Sequence, residues 1–323
     1  MNIPLLSPGQ AVGLGCPPAL FGRGIRQPRA APMSASNAAT LPEQRKVGAG
    51  PTDRRLVLRH RLPTRIWHWV NALVVFVMLM SGLMIFNAHP RLYWGSYGAN
   101  YDKAWLVVGS TPATGFLEVA GVRINTTGVL GRWIDRRGVV VRRAFPYWAT
   151  IPSSYNLAAG RRWHLAFAWL LALGLPFFWS VSLLNGHVQR DLAPRRDELS
   201  PRHIWDDIKD HARLRFPTGQ AALRYNILQK LSYVGVVFLV LPLLVLTGLT
   251  MSPAVDTAWP WLPDLFGGRQ SARSIHFILA TLTTLFILVH LVMVVLAGPI
   301  NEVRSMITGR FRIPQPPVGE EGQ

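Results

Sequence analysis

Two histidines lie within the last hydrophobic stretch of the chain, where a polar imidazole is unexpected unless it has a function. This stretch, Ser274 to Ile300, contains His276 and His290 but no Asp, Glu, Lys or Arg. Polar side chains are costly in hydrocarbon and therefore usually have a function there. The two histidines are fourteen residues apart, which is four turns at the heptad period. Both rings should leave one helix face, roughly 21 Å apart along the axis. This spacing predicts one axial ligand for each of two stacked haems.

The second ligand of each haem would come from His68 and His164, which lie at the starts of the first two hydrophobic segments. Helices one and three must run in one direction across a membrane, and helices two and four in the other. His164 and His276 therefore share one level, and His68 and His290 share the other. A bis-imidazole haem takes one nitrogen from each side of its iron. The sequence thus predicts two non-covalent haems b, with no open iron site for oxygen or substrate.

Other roles for the histidines remain open at this point. They could be structural or relay protons, and the chain could be a membrane transporter or metal-binding protein without haem. A zinc site needs ligands that converge on one ion, which two histidines roughly 21 Å apart on one helix cannot provide. A proton path is expected to include intramembrane carboxylates, and the four hydrophobic segments contain none. An absorption spectrum of the purified protein would separate these classes.

Four uncharged segments must position the histidines. Half of the 323 residues are hydrophobic and only 15% are charged. Each segment is long enough to cross a bilayer, and very apolar core helices of a soluble protein seldom run so long without a charge. We therefore predict an all-α membrane protein with a bundle of four transmembrane helices. The segments are 66–88, 163–186, 231–254 and 274–300.

The distribution of charge predicts the topology. A net charge of +18 would suggest nucleic-acid binding in a soluble protein, which we do not expect here. Ten Lys and Arg residues precede the first segment and nine lie in 186–230, but only two lie between the third and fourth segments. The positive-inside rule then places both termini in the cytoplasm of a multi-pass protein of the bacterial inner membrane. The first loop, 89–162, also contains ten, but loops of this length translocate largely regardless of charge.

The remaining segments suggest a simple organisation. Residues 1–54 are rich in Gly, Pro, Ala and Ser without periodicity, so we predict a disordered leader, with Met33 as an alternative start. Residues 55–312 form the predicted membrane domain, and 313–323 a tail. The single cysteine, Cys16, excludes an internal disulfide, and no C-x-x-C-H motif for covalent haem is present. The loop 89–162 is aromatic and has signals for short strands; a self-packed cap and a docking surface are both open. Residues 201–211 read as an amphipathic surface helix.

Five further residues are candidates for contact with the cofactor. Gly82 and Gly248 occur in the similar motifs Ser-Gly-Leu and Thr-Gly-Leu. Both are expected at the level of His164 and His276, which the predicted topology places on the periplasmic side. Each glycine could let a flat macrocycle approach the backbone, or could simply serve helix packing. Arg65, Arg162 and Arg273 stand near helix starts and could pair with haem propionates or with lipid phosphates.

One detail of the pattern fits less well. His290 stands about ten residues from the end of its segment, deeper than His68. We therefore expect the fourth helix to project beyond the bilayer.

Several of these motifs together resemble the bacterial cytochrome b561-like family. That family includes the membrane b-type cytochrome subunits of formate dehydrogenase, nickel–iron hydrogenase and thiosulfate reductase. The resemblance covers about residues 55–312, and the fourteen-residue spacing is its most specific part. The motifs are the basic residues before Trp67-His68, Gly160-Arg-Arg-Trp-His164, Thr247-Gly-Leu, and the two histidines of helix four.

The resemblance implies four helices around two b haems, with quinone chemistry near the cytoplasmic haem and a redox partner at the periplasmic one. The leader and the long first loop depart from the family pattern and leave the partner open. The resemblance favours a periplasmic molybdopterin enzyme of the sulfite-oxidase type. The chain is accordingly expected to be an electron-transfer subunit of an oxidoreductase complex, working between the quinone pool and a periplasmic enzyme.

Overall fold

A computed structural model describes residues 56–186, 188–195, 197–213, 215 and 225–313. The predicted leader, with Cys16 and Met33, and most of the predicted tail lie outside the described residues. The α-helices are α1 (Leu62–Phe86), α2 (Leu157–Leu184), α3 (Pro201–Ala212), α4 (Ile227–Gly235), α5 (Leu241–Leu249), α6 (Pro253–Ala258), α7 (Arg269–Ala297) and α8 (Pro299–Thr308). The β-strands are β1 (Leu56–Leu58), β2 (Arg91–Leu92), β3 (Leu106–Ser110), β4 (Gly115–Val119), β5 (Val122–Asn125), β6 (Gly131–Ile134), β7 (Val140–Arg143) and β8 (Arg310–Arg312).

In the described part of the chain, four helical spans are long and apolar enough to cross a membrane: α1, α2, the combined span Ile227–Thr250, and α7. They begin at 62, 157, 227 and 269, whereas the predicted segments begin at 66, 163, 231 and 274. The difference arises because the prediction used uncharged runs, and the first turns contain basic residues. Long basic side chains reach the polar interface from within a helix, so the helix continues through them.

The third span is helical throughout but not uniformly α. Its middle, Val236–Val240, forms a π-helical turn between α4 and α5. Pro242 follows immediately and has no N–H to give to the carbonyl of Phe238, one turn earlier. A wider turn at this point is a common response to an interrupted hydrogen-bond ladder.

The segment between α1 and α2 folds into a small cap of six strands. Strands β2 to β5 form an antiparallel sheet in chain order, and β6 pairs with β7 in a hairpin. The turn between β4 and β5 is Ala120-Gly121, with φ values of 50° and 87°, as a two-residue hairpin requires. The predicted short strands and self-packing are confirmed. The molecule is thus mainly helical rather than all-α.

The core of the cap joins it to the end of α1. Buried side chains from the cap, including Leu92, Leu106 and Val108, pack with Phe86, the last residue of α1. The ring of Phe86 also stacks on Phe277 of α7, with centroids 4.8 Å apart. The cap is therefore continuous with the helices that carry the histidines.

Hydrogen bonds fix the cap to the first turns of α7. The carbonyl of Gly95 accepts from the N–H groups of Gln270 and Ser271, each at 3.0 Å. The hydroxyl of Ser274 donates to the carbonyl of Tyr93 at 2.6 Å and accepts from the indole of Trp105 at 3.0 Å. These contacts lie within two turns of His276. We call this end of the bundle the cap side.

The opposite end, the terminal side, contains both described chain ends. There β1 pairs antiparallel with β8, and Arg59 forms an ion pair of 3.1 Å with Glu302 of α8. The connection between α2 and α4 begins and ends on the same side, because α2 ends there and α4 begins there. It includes α3, which matches the predicted amphipathic segment; the position of α3 on a membrane surface stays a prediction.

The connection is tied to the start of α4 by a partly buried ion pair. The Lys230 ammonium lies 2.7 Å from both carboxylate oxygens of Glu198. Burial alone raises the pKa of Glu198, but hydrogen bonds from the Arg195 backbone and Lys230, together with the Lys230 charge, lower it more, and the net pKa is below its usual value. The Glu198 carboxylate therefore stays ionised at neutral pH, and its contact with Lys230 holds the connection against the third span.

Candidate functional site

The structure brings the four candidate histidines together as two pairs. On the cap side, the ring centres of His164 (α2) and His276 (α7) are 6.3 Å apart, with the rings inclined at 64°. On the terminal side, His68 (α1) and His290 (α7) are also 6.3 Å apart, inclined at 61°. These are the pairs that the helix directions predict. In both, the partners come from different helices and α7 contributes one member.

The depth mismatch expected for His290 is absent. Helix α7 ends at Ala297, seven residues after His290, because Gly298 adopts a left-handed conformation with φ of 107° and the separate helix α8 follows. His68 lies six residues after the start of α1 at Leu62. Both rings therefore lie about two turns from their helix ends. The ten-residue estimate was wrong because it counted Gly298, Pro299 and Ile300 as part of the helix.

The distance within each pair fits two imidazoles on opposite sides of one metal ion. A metal–imidazole bond of about 2.0 Å places the two ring centres roughly 6 Å apart. Among the described residues, no three His, Cys, Asp or Glu side chains converge on one point. Each pair therefore suits a metal whose remaining ligands belong to its own cofactor, as in a porphyrin.

The cap-side imidazoles are held by hydrogen bonds at Nδ1. In His164 this atom lies 3.1 Å from the carbonyl of Met78 and 3.1 Å from the hydroxyl of Ser81. In His276 it lies 3.0 Å from the hydroxyl of Thr247. Sequence reasoning missed Ser81 and Thr247, although each directly precedes a candidate glycine; the matching motifs were the available signal.

The two glycines lie directly against the same imidazoles. A Cβ atom at Gly82 would be 3.4 Å from Cε1 of His164, and one at Gly248 would be 3.4 Å from Cε1 of His276. The motifs Ser81-Gly82 and Thr247-Gly248 therefore present a hydroxyl and a bare backbone to one ring each. Contact between these glycines and a macrocycle stays a prediction.

The three candidate arginines differ in their surroundings. The Arg65 guanidinium donates to the carbonyl of Ile307 on α8, and that of Arg273 donates to the carbonyl of His89 at 2.6 Å. Arg162 is exposed, and no hydrogen bond or ion pair joins its side chain to another described residue. Pairing with propionates stays a prediction for all three; the contacts of Arg65 and Arg273 link the ends of helices.

Comparison with known proteins agrees with this geometry. A sequence model of a family described as prokaryotic cytochrome b561 matches residues 59–309. The chain belongs to this family. Cytochromes of the b561 family bind haem b, so the chain is a transmembrane b-type cytochrome, and the resemblance inferred from the motifs is confirmed.

A curated relative adds further information. The putative protein-methionine-sulfoxide reductase subunit YedZ1 of Azospira oryzae is 30% identical over 232 residues, which cover 72% of this chain and 87% of that protein. No solved structure matches the chain. Residues 59–309, which the family model matches, include all four histidines and the cap.

Proposed function

We propose that this b561 cytochrome is the membrane subunit that transfers electrons between the quinone pool and a periplasmic oxidoreductase. The observation that carries the proposal is the equal geometry of the two histidine pairs, each 6.3 Å between ring centres, at opposite ends of one helix. His164 and His276 would hold one haem b, and His68 and His290 the other. Haem supplies one-electron redox chemistry when bound.

The four histidines of the chain would hold the two cofactors at fixed positions. Helix α7 sets their separation, since His276 and His290 are four turns apart on one face. With two imidazoles holding each haem, neither iron would have an open site for oxygen or substrate. The polypeptide would then contribute potential, spacing and docking rather than bond chemistry.

We expect two haems b per chain. Each histidine pair should saturate one iron, so pyridine haemochrome measured against protein concentration should give a ratio near two. A ratio near one would mean that one pair does not bind haem. Protein with no b-type bands after reduction would instead support the transporter or metal-binding alternative.

The cap provides a surface suited to a periplasmic partner. Arg132 and Arg142 face each other across the β6–β7 hairpin, where like charges are destabilising, and Arg136 and Arg137 follow in its turn. No ion pair joins these four to another described residue. The carboxylate of Asp135 accepts backbone N–H groups of the same turn. A partner with an acidic face would complement this hairpin.

The class of partner is supported in part by the relative. YedZ1 is described as a subunit of a protein-methionine-sulfoxide reductase, so an oxidoreductase on the cap side is consistent with the likeness. A molybdopterin enzyme is the partner that the family resemblance favours, and we propose it on that basis.

The terminal side has features suited to quinone chemistry. The ring of His290 stacks on Phe286 at 5.9 Å, and Phe286 is 6.5 Å from Tyr233. Tyr233 in turn lies 5.5 Å from Tyr225. This row of aromatic rings runs from the terminal-side histidine pair towards the connection between the second and third spans. We propose that electrons pass between this haem and quinone at this end of the bundle.

We expect the cap to face the periplasm and both termini to face the cytoplasm, because of the Lys and Arg asymmetry. Single cysteines introduced at exposed positions of the cap, such as Tyr97 and Tyr101, should react with an impermeant reagent in intact cells. A cysteine in place of Trp205 on α3 should react only after lysis. The variant Cys16→Ser supplies a background without native thiols. Labelling of α3 from outside would reverse the topology and exchange the two haem levels.

A further inference from the structure

We propose that Ser81 and Thr247 are positioning residues that fix the two cap-side imidazoles and lower the reduction potential of the haem they hold. The inference rests on the proposed function, since it assumes a haem at each pair. It gives Ser81 and Thr247, the hydroxyl residues of the Ser-Gly and Thr-Gly motifs, the role of accepting a hydrogen bond from each imidazole.

The direction of each hydrogen bond follows from where the hydroxyl protons go. The Ser81 hydroxyl donates to the carbonyl of Val77 at 2.7 Å, and the Thr247 hydroxyl donates to the carbonyl of Leu243 at 2.6 Å. Each hydroxyl has only one proton. Both oxygens are therefore free to accept, and we assign the imidazole Nδ1 as the donor in both contacts.

The backbone supports the same tautomer. The carbonyl of Met78 lies 3.1 Å from Nδ1 of His164. A carbonyl can only accept, so Nδ1 carries the proton in that ring. The same tautomer in His276 lets the Thr247 oxygen accept from Nδ1 while the Thr247 proton goes to Leu243. The lone pair of a neutral imidazole is then on Nε2, which is the nitrogen available to a metal.

The terminal-side pair lacks these contacts. Among the described residues, no hydrogen bond reaches the ring of His68 or of His290. Their neighbours are aromatic: the ring of Trp69 lies 5.3 Å from that of His68, and Phe286 stacks on His290 at 5.9 Å. The two pairs therefore share their ring spacing and differ in hydrogen bonding.

The difference in hydrogen bonding should make the reduction potentials of the two haems unequal. A ligating imidazole that donates its other N–H is held in orientation and becomes more basic. A more basic ligand stabilises the ferric over the ferrous iron, so hydrogen bonding is one of the means by which a protein sets haem potential. The hydroxyls of Ser81 and Thr247 therefore act to lower the cap-side potential.

The test is a spectroscopic redox titration of the full chain, loaded with haem and purified in neutral lipid nanodiscs. The step that is missing in His164→Ala identifies the cap-side haem. In Thr247→Val, which keeps the shape of the side chain and removes the oxygen, that step should move to higher potential while the other stays in place. The ferric-to-ferrous ratio at fixed potential should fall several-fold. Combining it with Ser81→Ala should bring the change to about tenfold, or about 59 mV for a one-electron couple.

Two matched variants separate hydrogen bonding from packing. Thr247→Ser keeps the hydroxyl and should restore the original potential. Thr283 is also buried, and among the described residues its hydroxyl forms a hydrogen bond only with the carbonyl of Leu279, one turn earlier on α7. Thr283→Val should therefore move neither step. If Thr247→Val fails to retain the cap-side haem, Ser81→Ala alone decides the question, because it only truncates a side chain.

Three results would overturn the inference: an unchanged cap-side potential without the hydroxyls, an equal shift of both haems, or an equal shift in Thr247→Ser. Failure of the proposed function itself would be seen in the haem content of the unsubstituted protein, before any variant is titrated. In that case the unsubstituted protein would not contain two haems.

Discussion

His164→Ala should remove about half of the bound haem and leave the other half with unchanged reduced spectra. The substitution takes one of two ligands from the cap-side iron, whereas His68 and His290 still complete the terminal-side pair. His276→Ala should have the same effect for the same reason. His68→Ala and His290→Ala should each remove the terminal-side haem instead. The measurement is pyridine haemochrome per protein, with redox titration to show which step is lost.

Double substitutions distinguish the pairing itself. His164→Ala with His276→Ala should lose little more haem than either alone, because one missing ligand already disables that site. His164→Ala with His290→Ala should remove nearly all haem, since one ligand is lost from each site. Such non-additivity reports coupling between residues.

A matched control comes from the connection between the second and third spans. His203 is an exposed histidine on α3, so His203→Ala should keep both haems. If His68 and His276 together behaved as one site, the assignment of pairs from helix direction and ring contacts would be contradicted.

The pairing could be predicted from the sequence because it depends on few quantities. Four uncharged runs set the number of helices, alternation sets their directions, and the heptad period places His276 and His290 on one face. None of these steps needs a side-chain position. The boundary errors have the same origin, because hydropathy does not register the residues that begin or end a helix. Asn226 begins α4 by accepting the N–H of Gln229 with its side chain, and Gly298 ends α7.

The contacts around the rings could not be predicted in the same way. That Ser81 faces His164 and Thr247 faces His276 depends on the rotation of neighbouring helices, which hydropathy does not determine. The repeated motifs Ser81-Gly82 and Thr247-Gly248 indicated that these positions have a specific role. From the sequence, that role was assigned to the glycines, as possible contacts of a macrocycle, and none was assigned to the hydroxyl residues. The contacts of Arg65 and Arg273 depend likewise on how α8 and the cap fold back onto the bundle.

The arrangement of the strands in the cap could be predicted least well from the sequence. Its strands were indicated by β-branched residues and turns, yet the order of a sheet and its attachment to α7 rest on non-local contacts. Gly95 and Ser271 are 176 residues apart in the chain and share a hydrogen bond of 2.7 Å. The position of the cap beside His276 became evident only from such contacts.

Gly248→Val should abolish haem binding at the cap side while the terminal-side haem is retained. A Cβ at this position would already touch Cε1 of His276 at 3.4 Å. Valine adds two further carbons on that atom, and a helix restricts them largely to one rotamer. The imidazole would then have to move, and the metal–nitrogen bond of about 2.0 Å allows little displacement. Gly82→Val should act in the same way through His164.

Graded substitutions make this expectation specific to the imidazole contact. Gly248→Ala should keep most of the cap-side haem, because a contact of 3.4 Å is close to ordinary van der Waals distance. Gly235 lies in the same span, and a Cβ there would have none of the described residues within 4 Å beyond its own chain neighbours and helix backbone. Gly235→Val therefore controls for the cost of valine in this helix and should keep both haems. Haem content and the two redox steps are measured for each variant. Full cap-side haem in both Gly248→Val and Gly82→Val would show that these glycines serve helix packing alone, whereas selective loss of that haem would show that the bare backbone is required by the ligating rings.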